Sequence, residues 1–144
     1  RTGRAYVSVD LDIGSRSALM GAKFTDICGI KEADIYRALE GFRRNTCSII
    51  GLDLMEIDPW RAGVEIDGLR DRTYNICGNI IRILTEGKIY LNRRHKNVLE
   101  KISTKKTLKE IEDKESLNEL IKMGFAGLSG KHISLLYNGE ILFF

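Results

Sequence analysis

A chain of 144 residues, 43% hydrophobic and 30% charged, has the composition of a folded globular protein and excludes a disordered or fibrous one. No run approaches the roughly 20 apolar residues of a membrane-spanning helix, and no signal peptide is expected, because Arg1-Thr2-Gly3-Arg4 leads directly into a strand pattern. The net charge of +3 conceals an asymmetry, because residues 1–86 carry 12 Lys/Arg against 13 Asp/Glu and residues 87–144 carry 11 against 7.

In chain order, residues 5–13 read as a strand that is apolar on both faces until Asp10 and Asp12 appear. Ile35, Ala38, Leu39 and Phe42 fall at i, i+3, i+4 and i+7, one face of a helix. Residues 49–57 form a second apolar strand run. Strands of this kind suit a parallel sheet covered on both sides. After Pro59, a helix carries Ile76, Cys77, Ile80, Ile83 and Leu84 on one face. Strand, helix, strand, helix predicts an α/β layered fold. Two strands do not make a stable parallel sheet, so the remainder is expected upstream or in a partner chain.

The texture changes near Gly87, which marks the expected boundary between domains 1–86 and 87–144. Lys88–Leu91 predicts a short strand. Val98, Leu99 and Ile102 mark one helix, Leu108 and Ile111 a second, and Leu117, Leu120 and Ile121 a third. Residues 133–137 and 140–144 flank Asn138-Gly139, a hairpin signal in which both turn positions take positive φ. Strand, three short helices and a hairpin is the order of a winged helix.

Cys28, Cys47 and Cys77 have no CxxC spacing, and three cannot all pair internally. They imply packing residues in a reducing, cytoplasmic setting rather than a disulfide framework. The lack of an initiator Met before a buried-looking strand suggests a piece of a longer protein.

Asp10 and Asp12 are separated by one residue, so on a strand they point to the same side. Two carboxylates between Val9, Leu11 and Ile13 resist burial unless something neutralises them. A divalent cation with a taste for hard oxygen ligands does so; a strand end meeting solvent or an arginine is the plainer alternative.

The wider context resembles the manganese-dependent ureohydrolases, the arginase and agmatinase family. Ser8-Val9-Asp10-Leu11-Asp12 is similar to that family's S-x-D-x-D signature, which supplies two ligands of a dinuclear manganese centre. Arg16 and Met20 stand where prolines are usual, Gly21 is the small residue, and Gly29 closes the pattern. Gly51-Leu52-Asp53-Leu54-Met55-Glu56-Ile57-Asp58-Pro59 resembles the family's later G-x-D-x-x-E strand, and the stretch from Asp67 to Leu84 its closing helix. The resemblance implies the C-terminal part of a three-layer α/β/α sandwich. It makes Asp10 a bridging ligand of two Mn²⁺ ions, Asp12 a ligand of one, and Glu56 the catalytic partner of a substrate guanidinium. It leaves Asp53 as either an acceptor supporting the site or a structural group.

The implied reaction is metal-assisted hydrolysis at a guanidino carbon. Two His and two Asp ligands of the family come from upstream motifs that this chain does not contain. His95 and His132 match none of them and are expected to be surface or packing residues. The family's pocket loop is replaced by residues 14–20, which points away from free arginine or agmatine and toward a larger substrate.

Residues 87–144 resemble winged-helix modules. Lys88-Ile89-Tyr90-Leu91-Asn92, a helix, and Thr107-Leu108-Lys109-Glu110-Ile111 also look like the small peptide-recognition domain of ribosomal peptide biosynthesis, to which a leader peptide adds as an edge strand. Arg93, Arg94, Lys96, Lys101, Lys105 and Lys106 offer a nucleic-acid patch instead, but Glu110, Glu112, Asp113, Glu115 and Glu119 crowd the later helices. A purely structural cap is the third alternative. The expectation is an amidinohydrolase that converts an arginine side chain in a peptide to ornithine and urea. The alternatives are a small-molecule ureohydrolase or a catalytically silent arginase-like scaffold. The expected partners are the missing upstream part, a peptide and a second copy, without membrane or nucleic acid.

Overall fold

The computed structural model describes residues 2–14, 29–66, 69–104 and 108–143. Strand β1 (Thr2–Asp10) pairs in parallel with β2 (Thr46–Met55), setting Val7 opposite Leu52, Ser8 opposite Asp53 and Asp10 opposite Met55. The pleat sends Val7 and Val9 into the core and leaves Tyr6, Ser8 and Asp10 outward. Helix α1 (Glu32–Asn45) makes the crossover between these strands. A minimal antiparallel pair, β3 (Glu65–Ile66) with β4 (Leu69–Arg70), leads into helix α2 (Thr73–Glu86). The fold is mixed α/β, and among the described residues the β1–β2 sheet has two strands. Tyr6, Ile50 and Met55 stay exposed on it, so the burial expected on both faces is absent there.

Helix α2 buries Ile76, Cys77, Ile80, Ile83 and Leu84, the stripe expected from its periodicity. Helix α1 follows its pattern only in part, with Ile35 buried and Leu39 packed against the core. It buries Glu32, Ala33, Ile35 and Tyr36, while Ala38 and Phe42 lie exposed. The rotation has a polar cause. The Glu32 side chain is fully buried and takes a bidentate pair from Arg72, Nε to Oε2 at 2.7 Å and Nη2 to Oε1 at 3.0 Å. Tyr36 Oη also donates to Glu32 Oε1 at 2.7 Å and accepts from Asn79 Nδ2 at 3.1 Å. Burial works against the Arg72 charge, but the Glu32 carboxylate outweighs it and holds the guanidinium above its ordinary value. Periodicity that counts only apolar residues misses a face organised by a charge pair.

Gly87 ends α2 at φ 76°, where its N–H reaches the carbonyls of Arg82 and Ile83, a left-handed cap that glycine adopts without strain. Then come β5 (Lys88–Leu91), helix α3 (Arg93–Thr104), helix α4 (Lys114–Met123), and strands β6 (Ala126–Ser129), β7 (His132–Leu135) and β8 (Glu140–Phe143). Where a second helix was expected at Leu108 and Ile111, the chain forms only a 3₁₀ turn, Leu108–Glu110, and Leu108 N–H is tied to the Lys131 carbonyl.

The Asn138-Gly139 hairpin does not form. β7 pairs antiparallel with β6 across Gly130 (φ 60°) and Lys131, and β8 crosses to pair in parallel with β5, Lys88 opposite Glu140. Lys88 Nζ lies 3.3 Å from Glu140 Oε1 at the head of that ladder. Neither Asn138 nor Gly139 takes a positive φ. Gly139 is needed for another reason: a Cβ there would stand 2.3–2.7 Å from the Tyr137 phenol. Gly139→Ala should therefore destabilise by about 1–3 kcal/mol, the range for overpacking a filled core, measured by chemical denaturation.

The buried residues form one cluster that runs through position 87. Tyr36 of α1 meets Phe125 and Tyr137 at ring distances of 6.1 and 6.4 Å, and Phe125 meets Tyr137 edge-on at 5.3 Å. Asn79 of α2 accepts from Tyr90 N–H at 2.8 Å and donates to the Tyr90 carbonyl at 3.0 Å. Cys77 is free and buried, and burial pushes its thiol up to about 11, which makes it a packing residue. Cys28 lies outside the described residues. No helix among the described residues is long and apolar enough to cross a membrane.

Asp113 caps α4 by accepting from Ser116 N–H at 2.9 Å, and this backbone bond, then the Ser116 side chain, hold its carboxyl below the usual range. A depressed carboxylate contributes stability above its unfolded pKa and loses it as pH falls through the folded value. Asp113→Ala should cost about 1 kcal/mol at neutral pH. The difference from the parent should shrink in acid, as a pair of urea titrations would show.

Candidate active site

β1 and β2 are adjacent and parallel, so their carboxyl ends finish side by side, where open α/β sheets place ligands. Asp10 ends β1 and is exposed. The strand stops there: Leu11–Ile13 is a 3₁₀ turn that drives Leu11 fully into the core and leaves Asp12 half-buried. Strand alternation therefore does not carry through to Asp12, which corrects the expected same-side geometry. Gly14 bridges Ile30, and the Ile30 N–H reaches the Ile13 carbonyl at 2.9 Å, which fixes the exit from this turn. Arg16, Met20 and Gly21 and most of the altered loop fall outside the described residues.

On β2, Asp53 lies opposite Ser8 and so on the outward face, two residues before the strand ends at Met55. Its Oδ2 accepts from Tyr6 Oη at 3.1 Å, while its buried Oδ1 has no hydrogen-bond partner among the described residues. The hydrogen bond, then the charge of Asp53, raise the Tyr6 phenol above its ordinary value. Gly51 makes room for the Tyr6 ring, which approaches to 2.5 Å of a Cβ position there. The Tyr6 partnership was missed in the sequence, although strand alternation already put Tyr6 on the Ser8 and Asp10 side.

Glu56, just past β2, has φ 60°, and among the described residues no other non-glycine residue has a positive φ. A glutamate held in the left-handed region carries about 1–3 kcal/mol of strain, of a kind that gathers at functional sites. No sequence signal announces it. Beyond it Asp58 organises a turn, accepting from Trp60 N–H at 3.0 Å and pairing with Arg61 at 3.5 Å. Trp60 is 90% exposed.

No protein-family model, curated protein or solved structure matches this chain. The site is therefore argued from its own residues. Asp10 and Asp12 offer hard oxygen donors that fit Mn²⁺ or Mg²⁺ in kind, but no group of three or more His, Cys, Asp or Glu able to hold a metal occurs among the described residues. The histidines lie elsewhere. His95 on α3 is buried, with Nε2 2.7 Å from Glu119 Oε2 of α4, and His132 is exposed at the start of β7.

Proposed function

We propose that this chain carries part of a manganese-dependent amidinohydrolase site of the arginase type. The observation that carries the reading is the β1–β2 pairing, which brings S-x-D-x-D and G-x-D-x-x-E to one end of one sheet. In this reading Asp10 and Asp12 hold manganese, which when bound supplies a water acidic enough to ionise near neutral pH. The remaining ligands and the rest of the three-layer sandwich come from an upstream part of the protein. Glu56 orients the guanidinium of the substrate through its carboxylate, and the Tyr6–Asp53 pair fixes the outward sheet face beside it. The substrate is an arginine side chain within a peptide, and the exposed Trp60 supplies an apolar contact beyond the reacting group.

Two carboxylates alone bind a divalent ion weakly. The isolated chain titrated with Mn²⁺ in a calorimeter should give a Kd no tighter than the millimolar range. Tight uptake of two ions would place the metal site elsewhere. The reaction itself is tested by urea release from an arginine-containing peptide and from free arginine, using the intact protein that contains these residues. Hydrolysis of neither substrate with manganese bound would favour a silent scaffold.

Peptide recognition by residues 87–144 has a changed address. β5 is engaged on both edges, by β8 on one and by the Asn79 amide at Tyr90 on the other. Ladder alternation then turns the backbone of Ile141 and Phe143 to the far side of β8. In this reading an extended peptide adds there, and not at Lys88–Leu91. Duplex nucleic acid is disfavoured because Arg94, Lys96 and Lys101 pair with Glu115, Glu100 and Glu112 at 2.9, 3.8 and 3.7 Å.

A further inference from the structure

An open cleft of about 510 Å³ lies between the outer side of α2 and β5. Tyr74, Asn75, Gly78, Arg82 and Tyr90 line it, with the buried Asn79 beneath. Arg82 Cζ lies over the Tyr90 ring, 4.7 Å from its centroid, and the side chain makes no ion pair among the described residues. A guanidinium held over an aromatic ring still has N–H donors to offer a two-pronged oxyanion.

Three further features fit a built cleft rather than a loose surface arginine. The amide of Asn79 spends its hydrogen bonds on the Tyr90 backbone and on Tyr36, so the strand segment that carries the Tyr90 ring is anchored to α2. Gly78 sits in mid-helix, where glycine is poorly suited. A Cβ at that position would meet only Arg82 Nη1, at 3.0 Å. The glycine therefore lets the guanidinium lie close against the helix, and a methyl there would press on it. Tyr74, 54% exposed one helical turn earlier, supplies an aromatic wall at the other end.

We propose that this cleft binds a small ligand through a carboxylate or phosphate group held by Arg82, with Tyr74 against its apolar part. The inference is independent of the ureohydrolase reading, since it uses none of Asp10, Asp12, Asp53 or Glu56.

Inorganic phosphate and benzoate, titrated separately into the labelled 144-residue chain, distinguish the two anion sources by NMR. Saturable shifts at the Gly78 amide and Arg82 Nε–H are expected with at least one of them, and benzoate should also move Tyr74. Arg82→Gln should weaken the response at least 10-fold. Gly78→Ala improves the helix while filling the space, so it should keep or raise Tm and still weaken binding. Shifts that are absent with both probes, or unchanged in Arg82→Gln, overturn the proposal. So does a Gly78→Ala variant that binds as well as the parent.

Discussion

Arg72→Met lowers the stability of this chain by about 3–5 kcal/mol, because it strands a carboxylate in the core. Glu32 has a fully buried side chain, and Arg72 is the only cation paired with it among the described residues. Tyr36 remains to donate one hydrogen bond, which does not neutralise the charge. Against a typical total of about 5–15 kcal/mol the loss is large, and Tm should fall by roughly 10 °C.

One control follows from the physics. Adding Glu32→Gln to the variant should recover a substantial part of the loss, since the buried charge is gone. A double variant no more stable than the single would mean that Glu32 reaches water once Arg72 is gone.

The second large effect concerns the candidate site and rests on the proposed reading of it as part of a manganese-dependent hydrolase, tested in the intact protein with manganese supplied. Asp10→Asn should remove metal and activity together, with turnover down more than about 100-fold, beyond what groups outside the coordination sphere cost. Glu56→Gln keeps the shape but loses the charge facing the guanidinium. It should leave metal content unchanged and raise KM at least 10-fold. Metal analysis beside steady-state kinetics separates the two roles, and equal metal loss in both variants would refute them. Removing residues 87–144 is a poor test of peptide docking, because Phe125 and Tyr137 complete the packing around Tyr36. Point changes along the outer edge of β8 are the cleaner experiment.

The sequence by itself determined the elements whose signals are local. The α2 stripe, the strands at β1, β2 and β5, and the parallel strand–helix–strand order all followed from side-chain period and composition. The choice of Asp10, Asp12 and Glu56 as site residues is instead what the ureohydrolase resemblance implies, and period and composition alone do not give it.

Tertiary structure decided what depends on distant partners. The buried face of α1 is set by Arg72, forty residues away, and the Gly139 requirement by the Tyr137 ring rather than by a turn. The last strand joined β5 in place of β7, since a parallel partner and the Lys88–Glu140 pair were available to it. The same holds at the site, where the break of β1 at Asp10, the left-handed Glu56 and the Tyr6–Asp53 bond arise only once β1 and β2 lie side by side. Local periodicity reports which residues avoid water, but not which neighbour they will avoid it against.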